Sequence, residues 1–149
     1  MLPPEIVVSR SRSQIPALDP ALKERARLRI AECVELFRRH GVPLRMPSVS
    51  FDLRGATAGV AMPARNHIRL NAVLLAENVA EFLEQTVGHE VAHLAVAAAY
   101  GLSAPAHGRQ WKQMMALLGL PAERCHSYDV SNAVAGRRYR YACACDTPH

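Results

Sequence analysis

One stretch, Gly88-His89-Glu90-Val91-Ala92-His93, constrains this chain more than any other. It lies in a segment, Val79 to Tyr100, that contains no Pro and a single Gly, and whose apolar residues recur with a helical period. Residues four apart on a helix lie on one face, a turn apart, so His89 and His93 present two imidazoles to a common point. That arrangement suits a tetrahedral Zn²⁺ ion. Glu90 sits about 100° further round the helix, which sets its carboxylate beside the metal instead of on it. From there it could take a proton from water. Two helical histidines can also be merely tolerated, and a pattern with three fixed positions recurs by chance.

The surroundings weigh against chance. Leu83, Val87, Val91, Leu94 and Ala98 fall on the face opposite the histidines and are expected to enter the core. Glu77, Glu81 and Glu84 gather in the N-terminal part, where the helix dipole favours acids. Beyond Glu90 the helix is almost wholly apolar, with His93 its only strongly polar residue. Polar groups on a buried helix are costly without partners, and a metal would supply one.

A third ligand is available downstream. Gly101 is expected to end the helix, and a Pro-containing turn leads to His107-Gly108-Arg109-Gln110-Trp111. Trp111, Met114, Met115 and Leu118 repeat as an amphipathic helix, closed by Gly119 with Pro121 beyond. His107 therefore stands at the start of a helix able to fold back beside the first. The longer pattern with Gly and His soon after the second histidine is absent, since Leu94 to Tyr100 holds neither. Glu123, Asp129 and Asp146 are the alternative carboxylate ligands, and none shares an evident helix face with the site. Three protein ligands with an open position is the catalytic arrangement; structural zinc sites are closed by four.

Together, His89-Glu90-Val91-Ala92-His93, His107-Gly108-x-x-Trp111 and the basic Tyr141-x-Cys143-x-Cys145 run resemble the SprT-like family of zinc metalloproteases. That family includes the eukaryotic protease for DNA–protein crosslinks. The likeness extends to Phe51-Asp52-Leu53-Arg54-Gly55, Ala58-Gly59 and Ile68-Arg69-Leu70-Asn71, which look like the strands preceding the family's active helix, and covers roughly residues 20 to 145. It implies zinc ligation by His89, His93 and His107, catalysis by Glu90, and a zincin-like domain over residues 1–137. Residues 138–149 look like the opening of a C-terminal zinc ribbon. Cys143, Cys145 and His149 supply three ligands at most where a ribbon needs four, so no second occupied metal site is expected in a monomer.

Other features set bounds. One domain is expected for 149 residues. No run of apolar residues is long enough to span a membrane, and Met1 to Ser13 lacks the pattern of a secretory signal. Four cysteines without framework spacing fit a reducing cytoplasm; Cys33 reads as a small core residue. The net charge of +5 is uneven, with 12 basic and 6 acidic residues in Met1–Leu75 and a net acidic stretch over Ala76–Leu120. A basic face of this kind can attract nucleic acid, Arg25, Arg29, Arg38 and Arg39 being the candidates; a solvated helix surface explains the charge equally well.

The expected order of elements is helix, strands, then two helices. Asp19 caps and Pro20 begins the first helix, with Leu22, Ala26, Ile30, Cys33 and Phe37 as its apolar stripe and Gly41 as its stop. Strands are expected around Val49–Leu53, Ala58–Met62 and His67–Asn71, forming a small antiparallel or mixed three-stranded sheet, and a further strand over Tyr128–Ser131. His67 reads as a surface histidine, and His126 carries no assigned role. The fold class is α+β, with the sheet beside the metal helix. The functional expectation is a zinc peptidase acting on proteins, including DNA-bound or DNA-crosslinked ones. Its rivals are a non-catalytic zinc module associated with DNA and a zinc hydrolase of small amides or esters.

Overall fold

The computed structural model describes residues 17–134. The possible ribbon ligands Cys143, Cys145 and His149, and the alternative ligand Asp146, lie outside the described residues. So does the proposed boundary at 137/138.

The first helix, α1 (Pro20–Arg39), starts as its sequence dictates. Asp19 accepts a hydrogen bond from the Ala21 N–H at 2.9 Å, and Pro20 supplies a preset φ with no N–H to satisfy. Ala26, Ile30, Cys33, Val34 and Phe37 bury one face. The Cys33 thiol is pushed up to about 11, chiefly by burial, so it behaves as an inert core group. Gly41, at φ +84°, ends the helix.

Three strands follow: β1 (Ser48–Leu53), β2 (Gly59–Met62) and β3 (His67–Asn71). Their order is β1-β3-β2, with β1 parallel and β2 antiparallel to β3, so the sheet is mixed and β2 is an edge strand. A short 3₁₀ turn, Pro63–Arg65, and the left-handed Asn66 (φ 50°) close the β2–β3 hairpin. His67 sits away from the metal candidates, with its two ring nitrogens against Ser48 Oγ (2.6 Å) and Ser50 Oγ (2.9 Å).

Asn71 joins three pieces. Its side-chain carbonyl caps the next helix through the Leu74 N–H (3.1 Å), while its Nδ2 donates to the Gly55 and Thr57 carbonyls at 2.9 and 3.0 Å. The helix it caps, α2 (Ala72–Glu77), is not among the expected elements, which leave the residues after Asn71 unassigned. A short apolar run such as Ala72–Leu75 suits strand or helix alike; the cap decides it.

A second departure lies ahead of the histidines. The chain is helical from α3 (Val79–Glu81) to Tyr100, but a π turn, Phe82–Thr86, separates α3 from α4 (Val87–Tyr100). The apolar pattern cannot distinguish the two windings, which differ by less than a residue per turn. Arg29 of α1 meets this turn, its Nε donating to the Leu83 carbonyl (3.0 Å) and its Nη2 to the Glu84 carbonyl (3.1 Å).

Helix α4 is the centre of the molecule, packed by α1, α5 (Arg109–Leu118) and β2. Val87, Val91, Ala92 and Ala95 are fully buried. The expected strand over Tyr128–Ser131 is not formed: among the described residues no strand lies alongside to complete a ladder. The Tyr128 and Ser131 N–H groups bond instead to the side chains of His126 and Asp129 at 3.0 Å each. Tyr128 pins this segment to the π turn, its hydroxyl 2.8 Å from Thr86 Oγ1 and its ring stacked on Phe82. No helix among the described residues is long and apolar enough to cross a membrane.

Candidate metal centre

His89 and His93 lie on α4 one turn apart, as their spacing requires. Gly101 then ends the helix at φ +95°, and the chain doubles back through Leu102–Ala106. The Gly108 N–H donates to the Pro105 carbonyl at 3.3 Å, which closes this turn and sets His107 immediately before α5. The result is a cluster of His89, His93 and His107 whose donor atoms all lie within 4.8 Å of one another. His89 Nε2 and His107 Nε2 are 3.3 Å apart. Two donors on a tetrahedral Zn²⁺, each at about 2.0–2.1 Å, lie about 3.3–3.4 Å apart, so this pair already has the spacing of a ligand pair.

Two neighbours orient the imidazoles. His89 bonds through its ring to the Glu123 backbone, which leaves Nε2 facing His107. Trp111, wholly buried at the start of α5, forms the wall against which all three pack, with ring centroids at 4.8, 5.6 and 4.7 Å from His89, His93 and His107.

Burial favours the neutral form of the three imidazoles, the form that can bind a metal. In the metal-free protein desolvation, followed by the nearby His107, lowers His89 to about 4; burial, then His89 and His107, lowers His93 to about 2. His107 is also lowered, by burial and then Arg124.

Glu90 is the group the sequence places beside the metal, and the fold isolates it. Its carboxylate is 3% exposed, Oε2 lies 4.0 Å from His89 Nε2, and Oε1 is buried with no hydrogen-bond partner. Desolvation raises it to about 8, opposed by a hydrogen bond from the Ala61 backbone. A nearby dication would act in the opposite direction and favour the charged form. A buried carboxylate with one unpartnered oxygen, next to three imidazoles that could hold a metal ion, is costly in a packed core without such a partner.

Gly59 of β2 makes room for that carboxylate. A Cβ there would stand 3.0 Å from Glu90 Cγ and 3.2 Å from Oε2, closer than ordinary contact. Nothing in the sequence marks this role, because the two residues lie far apart along the chain. Gly59→Ala is expected to displace the Glu90 side chain and destabilise the protein by about 1–3 kcal/mol while leaving metal affinity within a few fold. Denaturant unfolding and metal titration of the variant check both parts.

The other residues considered are placed elsewhere. Glu123 is exposed and contributes its backbone, and Asp129 folds onto Ser131. His126 clamps two loops together: its Nε2 donates to the Ala56 carbonyl at 2.7 Å and its Nδ1 accepts from the Tyr128 N–H.

The charge states imply a pH profile for the metal-free protein. Between about 4.5 and 8 the folded state holds a proton on Glu90 that the unfolded chain releases, so this group lowers stability as pH rises through that range. Below about 6.5 the unfolded chain protonates His89 and His93 while the folded state does not, and two such groups outweigh one carboxylate. His107 and His126, lowered as well, act in the same sense, so stability of chelated protein is expected to peak at or somewhat above about pH 6.5 and to fall on both sides. Chemical denaturation from about pH 5 to 8 tests this, and saturating metal is expected to flatten the alkaline limb.

Comparison with known sequences bears on the same residues. The SprT-like family model matches residues 30–128, which span the sheet, Glu90 and all three histidines. The chain belongs to the SprT-like family. Protein SprT of Glaesserella parasuis serovar 5 (strain SH0165) is 48% identical over 112 residues, covering 74% of this chain and 69% of that one. Protein SprT of Pseudomonas putida (strain GB-1) is 44% identical over 125 residues, covering 83% and 74%, and that of Pasteurella multocida (strain Pm70) 40% over 131, covering 85% and 76%. No solved structure matches the chain. This SprT-like chain thus shares most of its length with its relatives, and the family match spans the metal cluster.

Proposed function

We propose that this SprT-like protein is a zinc-dependent metallopeptidase that cleaves protein chains. The observation that carries the reading is a buried carboxylate with an unpartnered oxygen beside three converging imidazoles. His89, His93 and His107 hold the zinc. When bound, zinc supplies a Lewis acid that polarises the scissile carbonyl and acidifies a water. Glu90 accepts the proton of the attacking water at its carboxylate and passes it to the leaving amine. Gly59 keeps that carboxylate in place from behind. Strand β2, paired on one side only among the described residues, offers its outer edge to an extended peptide laid across the site.

Proteins bound or crosslinked to DNA are the substrates that family analogy suggests. The excess of basic residues before Leu75 is compatible with that. Of the α1 arginines, Arg29 is committed to the Leu83 and Glu84 carbonyls and Arg38 donates to the Leu44 carbonyl, while Arg25 and Arg39 are exposed. Any DNA contact on this face therefore falls chiefly to Arg25 and Arg39.

The test is cleavage of an unstructured protein by zinc-loaded enzyme, with and without DNA, against a chelated control. Metal-dependent cleavage is expected. No cleavage under any of these conditions would reject the peptidase and favour a non-catalytic zinc module.

A further inference from the structure

Beside Glu90 and His93 opens a groove of about 510 Å³, far larger than needed for the reacting groups alone. One wall is the outer edge of β2, with Val60 and Pro63; the floor is the last turns of α4, with Val96 and Ala97. The remaining wall is the turn between α4 and α5, from which Leu102 and Pro105 line the space. Among the described residues Glu90 is the only acidic or basic side chain along it besides the imidazole of His93. Leu102 is 66% exposed, a large apolar side chain held at the mouth of an apolar space. The core does not explain that position, since Leu102 packs into none of it.

We propose that this groove selects substrates carrying an apolar side chain next to the scissile bond, and that the turn Gly101–Ala106 is the wall that determines the specificity. The inference rests on the peptidase reading and narrows its substrate class. A peptide extended along the β2 edge directs alternate side chains to one side, and the groove continues directly from the metal ligands. A side chain seated there loses its water. An apolar one gains by that transfer, whereas a charged one meets no partner except the carboxylate of Glu90. An aspartate or glutamate is therefore disfavoured by desolvation. Leucine, methionine and phenylalanine fit the volume and the lining.

The same turn leads into His107, and His93 lines groove and metal site alike, but Leu102 and Ala97 line the groove without belonging to the histidine cluster. The lining can therefore be altered with the ligands left in place. The exposed Leu102 is the safest position to change, and Ala97, half-buried on α4, the one that most directly narrows the space.

The experiment uses the zinc-loaded 149-residue chain and a set of short peptide hydroxamates that differ only in one side chain: glycine, leucine, phenylalanine or aspartate. The hydroxamate anchors each probe at the metal, so affinity reads the groove without requiring turnover. Leucine and phenylalanine probes are expected to bind at least tenfold more tightly than glycine, the scale set by burying one such side chain. The aspartate probe is expected to bind more weakly than glycine. Ala97→Leu should remove most of the phenylalanine advantage and keep the glycine affinity, which controls for folding and metal content. Leu102→Ala, which disturbs no core contact, should reduce the leucine and phenylalanine advantage several-fold. Equal affinities across the probes, a preference for aspartate, or a uniform loss in both variants would overturn the proposal. The expected ranking in a protein that cleaves no polypeptide would uphold the groove's selectivity and reject the peptidase reading. Binding of none of the probes would reject both.

Discussion

Zinc-loaded Glu90→Gln protein is expected to fold and hold metal as the wild type does and to hydrolyse polypeptide about 10²–10⁴-fold more slowly, the usual span for loss of a general acid–base group. The substitution keeps the volume that Gly59 leaves open and removes the ability to accept a proton at neutral pH. Its second readout does not depend on catalysis. Glu90 alone accounts for the expected loss of metal-free stability from about pH 6.5 to 8, since it is the buried carboxylate raised to about 8. Metal-free Glu90→Gln protein should lack that alkaline limb. Wild-type cleavage rates in the loaded variant would remove Glu90 from the chemistry. An unchanged pH profile would show that its carboxylate is not perturbed by burial.

His107→Ala is expected to reduce zinc affinity by more than the roughly 10–100-fold typical of losing a supporting partner, because it removes one of three ligands outright. Glu123→Ala is expected to leave affinity unchanged. The contrast is structural: the Glu123 side chain is exposed, while what orients His89 is its backbone, which alanine retains. Trp111 is the protein's single tryptophan and packs against all three imidazoles, so its fluorescence is a direct probe for metal titration. Chelation should also lower the unfolding temperature of wild-type protein more than that of His107→Ala, because bound metal adds its binding free energy to folding. Equal losses of affinity in the two variants would mean that His107 is not the third ligand.

Much of this was legible in the chain itself. The spacing of His89 and His93 determines that they share a helix face, since helical geometry is local. Asp19-Pro20, Gly41, Gly101 and Gly119 marked helix ends through capping and left-handed backbone, which depend on the residue and its immediate neighbours. The alternation of Val49, Phe51 and Leu53 and the breaks around β2 and β3 placed three strands. His107 could be ranked above the carboxylates because a returning helix begins beside it.

What only the tertiary structure decided involves contacts between distant residues. The sheet order, with β3 in the centre and β2 at the edge, follows from which strands pair, and alternation says nothing of partners. The π turn and α2 escaped because apolar periodicity is nearly blind to winding and to short runs. Tyr128–Ser131 has the composition of a strand but no neighbour to pair with among the described residues, and the N–H groups of Tyr128 and Ser131 turn to His126 and Asp129. The unpartnered oxygen of Glu90, the space that Gly59 leaves for it, the Glu123 backbone on His89 and the Trp111 wall are likewise invisible along the chain. Each joins residues that only the packing of α4 against β2, α5 and the segment after it brings together. Local geometry sets which groups a helix can aim; burial and desolvation, which belong to the whole fold, set what those groups become chemically.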